Sequence, residues 1–66
     1  MEISINNFVF LMIQKLIILP YMYENTIRGC ISEMIVNEGY ICNATDDEIY
    51  AKFKEDFNKV KNCVNY

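Results

Sequence analysis

Histidine is absent from this chain, and arginine and proline occur once each, at Arg28 and Pro20. Without histidine the chain lacks the side chain that most often moves protons near neutral pH, and the commonest imidazole metal ligand. The three cysteines, Cys30, Cys42 and Cys63, form no CxxC pair, so the usual zinc-knuckle spacing is missing. Their odd number argues against a disulfide-stapled secreted scaffold and for reduced, buried thiols in a cytosolic protein. No glycine-rich phosphate loop and no calcium-loop pattern occurs. Asn43-Ala44-Thr45 matches the glycosylation sequon. The sequence nevertheless opens on Met1-Glu2, with no basic leader and no small-residue cleavage site, so a cytoplasmic protein is expected, in the host cytoplasm if the source is viral.

What the chain does hold is hydrophobic side chains in excess of its size. Ten of the twelve residues from Phe8 to Leu19 are apolar, in a protein of 66 residues. A chain this short hides only about 60% of the surface its unfolded form exposes. Small domains therefore commonly add a disulfide, a metal or a partner. The apolar run falls short of the roughly 20 residues that span a bilayer, and Gln14-Lys15 interrupt it. A surface-bound membrane helix is disfavoured too, because the run lacks a basic polar face.

Nine acids against six bases leave a net charge of −3. That sign argues against nucleic-acid binding, which rests largely on Lys and Arg contacts to phosphates. Ile and Asn supply 18 residues while Ala, Gly, Pro and Arg together supply six, the bias expected of an AT-rich genome.

Periodicity divides the chain into three helices and predicts an all-α, single-domain three-helix bundle over residues 1–66. Helix one runs from about Ser4, an N-cap candidate, to Leu19. Val9, Met12, Ile13 and Leu16 form one face, and Asn7, Leu11, Gln14 and Ile18 the other. Pro20 suits the first turn of helix two, which extends to about Glu38 with Tyr23, Ile27, Cys30, Ile31, Met34 and Ile35 at helical spacing. Gly29 weakens that helix, and Gly39 stands where a C-terminal cap belongs. The competing reading is an α+β fold in which residues 30–44 form a β-hairpin through Asn37-Glu38-Gly39. Helix three is expected from Asp46 to about Cys63. Thr45 and Glu48 form its capping box, its stripe is Ile49, Phe53, Phe57 or Val60, and Val64, and Glu48–Lys52 and Glu55–Lys59 are i,i+4 pairs.

Two surfaces are candidate partner sites. One is the outer side of helix one, Leu11, Ile18 and Phe10, where contiguous apolar area would mark an interface or self-association. The other is an acidic zone, Glu33, Glu38, Asp46, Asp47 and Glu48, within a stretch from Gly29 to Ala51 that contains no base. Such a zone would steer a basic partner in a salt-sensitive way, although helix capping alone accounts for Asp46, Asp47 and Glu48. Tyr21, Tyr23, Tyr40, Tyr50 and Tyr66 are amphipathic enough for interface edges.

Catalysis has little support. There is no histidine to activate a cysteine, no cysteine sits at a plausible helix N-terminus, and neighbouring carboxylates such as Asp46-Asp47 diverge on a helix. No catalytic residue, cofactor or metal is expected. The leading expectation is a non-enzymatic interaction module, a small virus- or phage-encoded inhibitor that blocks a host protein or nucleoprotein complex. A structural subunit of a larger assembly comes second. A helix-turn-helix DNA-binding regulator comes third, because the acids of helix three cancel Lys52, Lys54, Lys59 and Lys61, and because its turn is too long.

Overall fold

The computed structural model describes residues 2–17 and 23–63, with side chains as far as residue 60. The element order is β1 (Glu2–Ile3), α1 (Ile5–Leu16), α2 (Glu24–Val36), β2 (Ile41–Cys42) and α3 (Asp46–Cys63). Both α1 and α2 pack against α3, so the fold is a small helical bundle. Ile18, Pro20, Tyr21, Val64 and Tyr66, and the side chains of Lys61 and Cys63, lie outside the described residues.

Each helix boundary has a local cause. Ser4 caps α1 in an extended conformation, its side chain accepting from the Asn7 N–H at 3.2 Å. α2 starts at Glu24, later than Pro20 led one to expect: Tyr23 is extended and holds the N-cap position, with no side-chain cap hydrogen bond. α2 ends where Gly39 takes a φ of +77°. The turn brings the Tyr40 N–H onto the Met34 carbonyl at 3.0 Å. Residues 30–36 are therefore helix and not the first arm of a hairpin. At α3 the capping box closes in both directions: the Glu48 N–H donates to Thr45 Oγ1 at 3.1 Å, and the Thr45 N–H donates to Glu48 Oε1 at 2.8 Å.

The expected Glu48–Lys52 pair does not form. Glu48 is turned back into the cap, and Lys52 bonds Asp56 at 3.1 Å instead. The Glu55–Lys59 pair is present at 3.5 Å.

The core takes Phe8, Val9, Met12, Ile13 and Leu16 from α1, Ile27, Ile31 and Met34 from α2, and Ile49 and Phe53 from α3. Every fully buried side chain among the described residues is apolar, and each contributes roughly 1.5–3 kcal/mol on leaving water. Phe57 stacks on Phe53 with ring centroids 5.4 Å apart, and Tyr40 meets Phe8 edge-on at 6.4 Å. Phe57 and Val60 are both half-buried against this core.

One feature has no counterpart in the periodicity. β1 and β2 form a two-stranded parallel pair, with Glu2 opposite Ile41 and Ile3 opposite Cys42. Opposed residues share a face of a sheet. Ile3 and Cys42 accordingly pack inward, while Glu2 and Ile41 are exposed.

Candidate interaction surface

The apolar candidates on α1 separate. Phe10 is 58% exposed, whereas Leu11 is half-buried against the margin of the core. The outer side of α1 therefore presents Phe10, with Ile17 at its end, and not Leu11. Ile18 lies outside the described residues. α2 shows a shift in the opposite sense. Tyr23 and Ile35, assigned to its apolar stripe by spacing, are both exposed. Ile27, Ile31 and Met34 already fill the face that meets α3, and a single helix cannot bury its whole circumference there. Val36 is 77% exposed and Ile41 60%. Because Gly39 folds Tyr40 back to Met34, these two residues flank the same turn. No spacing rule points to Val36 or Ile41. They follow from where the helix ends.

The five acids do not form one uninterrupted patch, because the fold brings bases from outside their sequence window. Lys15, in the last turn of α1, pairs with Glu38 at 3.0 Å. That hydrogen bond raises the lysine pKa despite some desolvation. Arg28 reaches Asp47 at the start of α3 at 3.0 Å, and also bonds Glu24 at 2.8 Å. Its guanidinium lies 4.7 Å from the centre of the Tyr50 ring, where a planar cation is attracted by the ring face. The hydrogen bond to Glu24, then that to Asp47, raises the arginine pKa further. Glu48 is committed to the Thr45 cap, which lowers its pKa, the backbone hydrogen bond first and the side-chain bond second. Glu33 and Asp46 are exposed, with no ion pair among the described residues.

A cavity of about 440 Å³ lies between α1 and α2. Leu16, Cys30 and Met34 supply its apolar lining, and Lys15 and Glu38 join across it from the two sides. The Cys30 thiol stands 3.9 Å from the Met34 sulfur. Burial pushes its pKa up; Lys15 lowers it, and Glu33 and Glu38 raise it again. Cys42 is shifted the same way, by burial and then by Glu48. Both thiols are free and held toward the protonated form, the opposite of what a nucleophile needs.

Among the described residues no cluster of three or more acidic or cysteine side chains is placed to hold a metal ion. Among the same residues no helix is long and apolar enough to cross a membrane. No protein family, curated protein or solved structure matches the chain.

Proposed function

We propose that this protein is a non-enzymatic interaction module that binds a larger partner through a mixed apolar and acidic surface, and that it acts as an inhibitor of that partner. The observation that carries the reading is the set of large apolar side chains left outside a complete core: Phe10, Ile17, Ile35, Val36 and Ile41. A core built from all three helices needs none of them, and Val36 and Ile41, on either side of one turn, are where a partner would gain most by covering them. Net charge supplies the sense of the partner. The chain is at −3, and Glu33 and Asp46 have no ion pair among the described residues, so a basic surface fits best. The raised thiol pKa values of Cys30 and Cys42 support a binding role over a catalytic one. The compositional bias toward Ile and Asn favours a viral or phage origin.

The test is affinity purification from the native source, followed by binding measurements on the recovered complex at low and high salt. The triple variant Glu33→Lys, Glu38→Lys, Asp47→Lys should bind more weakly and lose most of the salt dependence, and Glu33→Lys with Asp46→Lys, which leaves the Lys15–Glu38 and Arg28–Asp47 pairs intact, should show the same loss. Circular dichroism on the same samples checks that the bundle is intact. Unchanged affinity in a folded triple variant would overturn the acidic part of the reading. Phe10→Asp is the companion test of the apolar part.

A further inference from the structure

We draw no further inference here: the strongest candidate, the exposed apolar patch of Val36 and Ile41 on either side of the turn between α2 and β2, belongs to the surface already described, and nothing in the structure shows what covers it.

Discussion

The two sides of the bundle are built to different standards. Where α3 begins, restraints converge: the reciprocal Thr45–Glu48 cap, the Arg28–Asp47 ion pair, the Arg28–Tyr50 contact, and the burial of Ile49 and Phe53 all fall within about two turns. α1 and α2, by contrast, are bridged across an open groove by an exposed ion pair, Lys15–Glu38. Exposed pairs contribute little because water screens them. One side of the molecule thus specifies the fold, and the other is left adaptable, which is where a binding surface would be expected.

The largest effect should come from emptying the specified side. Phe53→Ala removes a side chain that is 1% exposed and stacked on Phe57. The expected loss is about 3–5 kcal/mol, enough to unfold much of a domain this small, read by urea denaturation followed at a helical circular-dichroism band. Thr45→Ala should cost about 1 kcal/mol by freeing the Glu48 N–H at the start of α3. A Thr45→Ala protein as stable as the parent would mean that the cap does not specify the fold, and the contrast between the two sides would weaken.

On the adaptable side the sign should reverse. Gly29→Ala should stabilise the protein by about 0.5–1 kcal/mol, because the added methyl meets no neighbour and removes a glycine from a helix interior. A destabilised variant would show that the helix at Gly29 is under a constraint not visible in its surroundings.

The smallest effect is a dependence on pH. The capping bonds lower the Glu48 pKa in the folded protein below its ordinary value of 4.5. A depressed folded pKa contributes stability that is present above the unfolded value and is lost as pH falls through the folded one. Denaturation midpoints should therefore fall with acidification below about pH 4.5 more steeply in the parent than in Glu48→Gln.

Much of this was legible in the chain because helices advertise themselves locally. The α3 start, cap and inner stripe follow from Thr45, Glu48, Ile49 and Phe53 at fixed spacing, and Ser4 and Gly39 mark two more boundaries correctly. What spacing hides is anything that depends on distant residues meeting. It leaves Phe8 off the inner face of α1, where the fold buries it completely. It places Ile35 and Tyr23 on the apolar stripe of α2, whereas the fold leaves both exposed. It shows an acidic window with no base, whereas Lys15 and Arg28 arrive from α1 and from earlier in α2. The β1–β2 pair is invisible for a related reason. A strand of two residues has no period to detect, and its partner lies beyond two intervening helices.

That pairing also bears on how the molecule assembles. Joining Glu2–Ile3 to Ile41–Cys42 closes a loop that contains both α1 and α2. Closing so long a loop carries an entropy cost that a two-residue ladder alone does not offset. The ladder therefore relies on the docked helices to hold its two strands side by side. Glu2–Ile3 is held in register by the bundle, and does not hold the bundle together.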